Sequence, residues 1–588
     1  MEQLAEDIRR HLQGLPVIAV KGSFAYRANK FIRRNRMAIA AASLLAITLL
    51  GGIVATIRQA RIARKQADIA SSERARAEKR FSDVRELANS LIFEIHDSIQ
   101  GLPGATPSRK LLLDRAVQYL DKLSSDSAGD VNLQRELAWA YQRLATVQGD
   151  TTQSNLGQVR AADISNRKAT ALFESVAKAN PNNVTDQLNL AMAYRWRAFF
   201  DIYETTGRAE IDRALAVTEP LAHTNPDNLD VKGELAQEYT IRADVQDAVG
   251  DRLDAIDSYS KVRNLRQEIL IQNHSIDARR ALAKNTVVLA HEMGRFGSPG
   301  EAIRLMNLGI ADFQALAKET GDPGLVREVA AAESRRGDVE LIQGNLTAAR
   351  NDFQSSLRRF EPLAKLDPEN KMLQSDIWVG RFEYGRALAV AGRFSEALPL
   401  MQEALRGYQS LHLEADVGVA PPTMQAWIAE AQVGTHDLRG ALKNLETSAA
   451  ALAEDQANFD DARCELAMVE TKIGNVLLIM GKSADAKPHH EKALATAKLT
   501  GSIAQNDIPA LYAAAEAYAG LGDIATSQSR MTTDVSARQK LLSDACTSYH
   551  STIDIWKRIP HQSRYTGGGY LSRDPAALAQ QMAICTTR

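Results

Sequence analysis

The side chains able to act as ligands, acids or nucleophiles are scattered along this chain. His489, His490 and Glu491 are consecutive. Neighbours in sequence face apart on a helix, so the three do not share a metal ion and read as packing or solvent-facing groups. His291–Glu292 lacks the second histidine one turn away that a zinc-binding H-E-x-x-H helix requires. Glu94, His96 and Asp97 fail as an acid–base or metal cluster by the same geometry. Acidic pairs such as Asp460–Asp461 fall at expected helix starts, where carboxylates cap amides and complement the dipole. No G-x-S-x-G elbow and no phosphate-cradling P-loop occurs. The sequence therefore assigns no catalytic, metal-binding or cofactor-binding residue, and no cofactor is expected. The three cysteines, Cys464, Cys546 and Cys585, are too few for a disulfide framework or a cysteine zinc site. Cys464 is expected in the core. Cys546 and Cys585 are the candidate disulfide, if the body sits in an oxidising compartment. Two separate buried thiols are the favoured reading, because a bridge needs Cα atoms within about 7 Å.

The elements that would position any site are helices. Charged residues make up 24% of the 588, with a net charge of −1. That balance argues against nucleic acid as a partner held by bulk charge. Aromatics are 6% and alanine and leucine recur throughout, the look of an all-α chain. Met37–Ile57 contains no charged residue and is bracketed by Arg33, Arg34 and Arg36 before it and Arg58, Arg61, Arg64 and Lys65 after. As a helix it would reach roughly 30 Å, a bilayer core. We expect a single transmembrane helix at 37–57, a basic juxtamembrane head at 1–36 and a helical connector at 58–130. Ala38, Ala42 and Ala46 form a small-xxx-small stripe, and Ile62 and Ile69 lie one heptad apart; both would permit a homodimer through the span and connector. Phe81, Val84, Leu87, Leu91 and Ile95 mark one face of a connector helix that Gly101-Leu102-Pro103-Gly104 breaks.

From 131 to 558 the chain repeats. A glycine is followed five residues on by alanine and nine on by a larger residue: Gly157/Ala162/Asn166, Gly250/Ala255/Tyr259, Gly297/Ala302/Met306, Gly344/Ala349/Phe353, Gly392/Ala397/Met401 and Gly481/Ala486/His490. His436/Ala441/Leu445 keeps the phase without glycine, and Gly207 keeps the spacing without alanine. The period is about 46 residues, the mark of a solenoid. The glycine suits the left-handed position that ends a helix. The alanine suits a close helix crossing, and the larger residue fills the core of the pair. Tyr141, Tyr194, Tyr239 and Tyr518 each precede a small residue by four: Ala145, Ala198, Ala243 and Gly522. Asn180-Pro181, Asn225-Pro226, Asp322-Pro323 and Asp367-Pro368 supply stop-and-start signals between pairs. This order resembles tetratricopeptide repeats, lengthened from their usual period of about 34. The expected fold is a right-handed superhelical solenoid of eight or nine helix pairs, binding protein or peptide ligands in its groove. Residues 559–588 are expected to form a loop around Gly567-Gly568-Gly569 and a capping helix.

Outside the repeats lies a second resemblance. Glu6–Ala19 (E-D-I-R-R-H-L-Q-G-L-P-V-I-A), Phe24–Arg27 and Lys30–Arg34 resemble the end of the kinase domain in bacterial transmembrane serine/threonine protein kinases. Arg80–Ile99 and Ile555–His561 are similar to the same family beyond its membrane helix. The resemblance implies a sensor part of a signalling kinase in the bacterial inner membrane. The parts that transfer phosphate are not here: no glycine-rich loop, no V-A-I-K lysine, no H-R-D loop and no D-F-G. Asp312-Phe313-Gln314 and Asp352-Phe353-Gln354 lack the glycine. The basic residues near the span tie, with Lys21, Arg27, Lys30, Arg33, Arg34 and Arg36 against Arg58, Arg61, Arg64, Lys65, Arg74 and Arg76. Arg33, Arg34 and Arg36 just before the span slightly favour the head inside, and the resemblance tips the balance, with 1–36 in the cytoplasm and the array outside. The expected function is a membrane-anchored receptor or scaffold. One alternative is a shortened gene model of an active kinase; another is a scaffold facing the cytoplasm. Purified 1–588 is expected to transfer no phosphate from ATP to a generic protein substrate, since no phosphate- or metal-holding element can be assembled. Turnover that persists after contaminating kinases are removed would contradict this.

Overall fold

The computed structural model describes residues 2–19, 21–90, 130–150, 155–202, 205–296, 299–413, 420–455, 460–499, 508–558 and 575–586, with a few positions between 99 and 115. It forms two units, 1–89 and 90–588.

The first unit holds three helices: α1 (Glu2–Leu12), α2 (Phe24–Arg34) and α3 (Arg36–Asn89). Asp7 reaches beyond the end of α1 to accept the amides of Ile18 at 2.5 Å and Ala19 at 3.0 Å, folding the return of the chain. α3 is unbroken for 54 residues, about 80 Å at the helical rise. It is the one helix among the described residues long and apolar enough to cross a membrane, and none of that apolar stretch is buried by the protein. From Arg58 to Asp83, a stretch without glycine or proline, the helix continues without a break. The side chains of the expected face at Phe81–Ile95 lie outside the described residues, as do Glu94, His96 and Asp97.

The second unit is helical throughout its described residues. Its helices form antiparallel neighbours in chain order: α4 (Val131–Gly149) with α5 (Val159–Ala179), α6 (Val184–Phe200) with α7 (Thr205–Thr224), and α8 (Leu229–Ala248) with α9 (Arg252–Gln272). There follow α10 (Ile276–Phe296) with α11 (Pro299–Thr320), α12 (Pro323–Ile342) with α13 (Leu346–Leu366), and α14 (Lys371–Val390) with α15 (Phe394–Gln409). The last are α16 (Ala420–Gly434) with α17 (Leu438–Asp455), α18 (Asp460–Ile479) with α19 (Ser483–Lys498), and α20 (Ile508–Met531) with α21 (Val535–Arg558). The architecture is a solenoid of helix pairs. Short helices α22 (Pro575–Gln581) and α23 (Ala583–Thr586) close it.

Five of the turns inside pairs reuse one motif. Gly250, Gly344, Gly392 and Gly481 have φ of +87°, +79°, +76° and +76°. The amide after each reaches back to a carbonyl five residues earlier: Asp251 to Gln246, Asn345 to Glu340, Arg393 to Leu388 and Lys482 to Leu477, all at 2.7–2.9 Å. This is the Schellman closure, which satisfies carbonyls left over at the helix end. His436 takes the same place with φ +66°, and Asp437 makes the same bond to Gln432 at 2.8 Å. Gly157 is also left-handed, at +71°, in a longer turn. Gly207 is not a turn glycine: it lies inside α7, so close to Asp201 that a Cβ would stand 2.4 Å from that carbonyl oxygen. Gly297 lies outside the described residues.

Between pairs the proline signal is displaced. Asn183, Asn228 and Asn370 cap α6, α8 and α14, accepting amides at Asp186, Val231 and Leu373. Each stands three residues after the Asn or Asp of an Asn-Pro or Asp-Pro pair and donates its own amide back to that residue's carbonyl at 3.1 Å. Proline thus sits in a turn ahead of the cap. Only Asp322 caps directly, with Pro323 in the first turn of α12, where its missing donor costs nothing.

The seven repeated alanines, Ala162, Ala255, Ala302, Ala349, Ala397, Ala441 and Ala486, are all buried. Their larger companions, Asn166, Tyr259, Met306, Phe353, Met401, Leu445 and His490, are buried too. Across the pair the first helix answers with a small residue. A Cβ at Gly337 would meet Phe353 at 2.9 Å, and one at Gly474 would meet His490 at 2.4 Å. Gly385 faces Met401 and Gly522 faces Tyr549 in the same way. Pairs four or five apart also touch. Ile342 packs with Leu511 and Tyr512, and a Cβ on Gly157 would meet Leu413 at 3.1 Å.

Gly392 and Gly481 have open space around them, so only the backbone conformation resists a side chain. Gly392→Ala and Gly481→Ala should each destabilise by about 1 kcal/mol, and His436→Gly should stabilise by a similar amount. Urea melts of the three variants check this. A neutral His436→Gly beside two destabilising alanines would show that the turn is held by something other than φ.

Candidate functional site

A curved array exposes one helix of each pair on its inner side. Here the first helices of successive pairs touch one another, as α6 does α8, α10 does α12, and α18 does α20; the second helices do not close up in this way. The first helices therefore line the inner face. Along that face, oppositely charged residues meet across helix boundaries. Arg135 on α4 holds Asp186 on α6 at 2.7 Å, and Arg195 on α6 holds Glu234 on α8 at 2.6 Å. Arg327 on α12 holds Asp376 on α14 at 2.7 Å.

A second row crosses five helices. His291 Nε2 on α10 stands 3.2 Å from Asp338 on α12, which also accepts from Arg386 on α14. Arg386 holds Glu383 at 2.6 Å and lies over the Trp427 ring of α16 with 5.8 Å to its centroid. Lys472 on α18 approaches the same ring at 5.6 Å and pairs with Glu430 on α16. His291, Asp338 and Glu383 keep about a fifth to a quarter of their side-chain surface exposed, enough to meet a ligand.

The row is electrostatically tuned. Burial works against the charge of His291, but Asp338 and Glu292 outweigh it and hold the imidazole up at about 9. Asp338 is pulled well below the usual carboxylate range by Arg386 and His291 despite its burial. Burial pushes Glu383 up to about 7, with Arg386 opposing and Asp338 adding to the rise. On α8, burial and Glu234 push Glu238 up to about 8, although its Oε1 accepts from Thr218 at 2.6 Å. The protonation of His291, Glu383 and Glu238 is thereby made sensitive to pH near neutrality. Among the described residues no cluster of three could hold a metal ion.

The residues singled out by spacing lie elsewhere. The glycine–alanine set works between the helices of each pair. His490 is wedged between Gly474 and Gly520, while His489 bonds Glu470 at 2.6 Å. Cys464 is buried. Cys546 on α21 and Cys585 on α23 are joined by a disulfide, with Cα atoms 5.7 Å apart; this differs from the favoured reading of separate thiols. Beside it Leu578 and Tyr549 pack with Ala525 and Ala545, so a hydrophobic dock brings the two sulfurs together. The inner-face charges were missed because their partners lie a whole repeat away. The signal was present in opposite charges at the repeat spacing: His291, Asp338 and Arg386 follow one another at close to one period.

No protein-family model matches the chain, and no curated protein matches it. Solved structures do. One is Rap protein complexed with competence and sporulation factor, at 14% identity over 68% of this chain and 97% of that one, TM-score 0.35. Another is the apo quorum sensor NprR from B. thuringiensis, at 12% identity over 68% and 97%, TM-score 0.41. A third is a signal transduction ATPase with numerous domains and a tetratricopeptide repeat sensor from Pyrococcus horikoshii, at 12% identity over 68% and 54%, TM-score 0.39. This chain's own turns, buried alanines and paired helices make it a tetratricopeptide-like helical-repeat protein.

A histidine whose folded pKa is raised contributes stability that is fully present below its unfolded value of about 6.5 and is lost as pH rises through the folded value. For His291 that loss runs from about 6.5 to about 9. Glu383 and Glu238 act in the same direction from their unfolded range upward. The unfolding midpoint of the array should therefore fall between pH 6.5 and 9, and His291→Gln should flatten that fall while lowering stability at pH 6.5. Thermal melts across this range check it; parallel curves for both proteins would remove His291 from the account.

Proposed function

We propose that this chain is a membrane-anchored receptor or scaffold whose inner array face binds protein or peptide partners. The observation that carries the reading is the row His291–Asp338–Arg386–Trp427–Lys472, which crosses five first helices and leaves His291, Asp338 and the adjacent Glu383 about a fifth to a quarter exposed. A ligand carrying charges of both signs can meet the exposed edges of these ion pairs, while Trp427, buried beneath Arg386 and Lys472, holds the two cations in place. Repeat arrays use such extended surfaces for recognition. The anchor is Met37–Ile57, at the start of α3. We further propose that residues 1–36 lie in the cytoplasm and the array outside it. The Cys546–Cys585 bridge supports this, because structural disulfides persist in oxidising compartments. On the resemblance of the head, the chain would be the transmembrane and sensory part of a bacterial serine/threonine kinase signalling protein.

Two experiments test the reading. A photo-crosslinking amino acid at Glu383 or Lys472 should capture partners in intact cells, while one at Arg358 or Lys487 on second helices should not. Capture only from the second helices would overturn inner-face binding. Thiols trapped in living cells before lysis should show Cys546 and Cys585 linked, and an impermeant reagent should leave Ser23→Cys unlabelled in spheroplasts. Reduced cysteines together with a labelled Ser23→Cys would reverse the topology and favour a scaffold facing the cytoplasm.

A further inference from the structure

α2 has two faces that water alone does not suit. At 100° per residue, Phe24, Ala25, Ala28, Phe31 and Ile32 fall within one arc of about 120°. Phe24 is 91% exposed, Phe31 55% and Ile32 48%. Arg27, Lys30, Arg33 and Arg34 occupy the other side, and the segment 21–36 contains no acidic residue. The helix is well delimited: Ser23 accepts the Tyr26 amide at its start, and the Asn35 amide bonds Phe31 at its end. Asn35 alone separates α2 from α3, and its carbonyl already accepts the amide of Ile39. No slack therefore lies between the basic helix and an apolar run that begins at Met37.

We infer that α2 lies on the membrane surface, with its apolar face among the acyl chains and its cations on the phosphates of anionic phospholipid. The inference rests on the membrane-spanning reading of α3. A span entering the bilayer at Met37 places α2 within a residue or two of the headgroups. Exposed Phe and Ile on one side and unopposed Lys and Arg on the other are what that boundary stabilises. Each cation near an anionic leaflet adds electrostatic attraction. A second copy is a poorer cover, since it would meet only the apolar face and leave the cations of both helices with no anionic group, the segment 21–36 having no carboxylate. α1 differs: its apolar Leu4, Ile8 and Leu12 are exposed, but Glu2, Glu6 and Asp7 oppose an anionic surface.

The test uses the full chain with Cys464→Ser, the disulfide intact, in nanodiscs of phosphatidylcholine with or without phosphatidylglycerol. An environment-sensitive fluorophore is placed at Phe24→Cys, Lys30→Cys or Leu45→Cys, with nitroxide lipids as quenchers. In anionic discs the probe at 24 should shift to the blue and be quenched by a shallow nitroxide. The probe at 30 should stay aqueous, and the probe at 45 should be quenched by a deep nitroxide. Arg27→Gln, Arg33→Gln and Arg34→Gln together, or removal of phosphatidylglycerol, should return the probe at 24 toward water. An unquenched probe at 24 beside a deeply quenched probe at 45 overturns the inference and leaves the span standing. No deep quenching at 45 overturns both. A blue shift at 24 without quenching assigns the face to a protein, and quenching indifferent to anionic lipid removes the headgroup role.

Discussion

The array depends on how closely two helices can cross. In each pair a small residue of the second helix meets the first, and a large residue of the second helix fills the gap beside it. Ala349 is fully buried and Phe353 lies against Gly337. The crossing leaves no room for an added methylene on either side; overpacking a site of this kind costs typically 1–3 kcal/mol. The same crossing sets the angle at which the next pair must start. A small error there would repeat along the array, so the pattern must recur in every pair. Where the glycine is lost, as at His436, the left-handed turn is kept by a non-glycine residue at an energetic cost. The crossing geometry has priority over the local preference of the residue in the turn.

That geometry also creates the charged inner face. Drawing the first helices together removes water from the seam between them, and a charge buried there alone is strongly destabilising. Several of these charges are met by an opposite one from the neighbouring pair, as Arg327 is by Asp376 and Asp338 by both His291 and Arg386. Such pairs add little net stability over well-packed apolar groups, but they penalise any slip of one helix along the next. The charges of the inner face thus fix the register of one first helix against the next.

Much of this was legible because a period repeats evidence. The turn glycines, the alanine five residues on and the large residue nine on recur often enough to stand out from an alanine-rich background. Three things were not legible, each for a physical reason. The caps follow the Asn-Pro pairs by three residues, because proline opens a turn that the following Asn closes; the dipeptide marks the boundary without marking the helix start. Pro220, Pro362, Pro399 and Pro488 lie inside helices, where intrinsic preference opposes them and packing of the pair prevails. The sulfurs of Cys546 and Cys585 meet because Leu578 docks near Tyr549, a tertiary event invisible in the spacing of two cysteines.

A simple solenoid couples only nearest neighbours, so its stability is close to a sum over repeats. This array departs from that limit. Ile342 reaches Leu511 and Tyr512 four pairs on, and the turn at Gly157 rests near Leu413 and Lys371. Arg109, in the connector, is buried with Asp367 and Asp150 as its charged neighbours. Burial pushes its guanidinium below the ordinary value against the pull of both carboxylates, so separating them would strand a charge in a poor solvent. These contacts join the connector and the first pair to the middle of the array. The buried charge cluster at Arg109 thus ties distant pairs of the array to one another, as the apolar contact at Ile342 does.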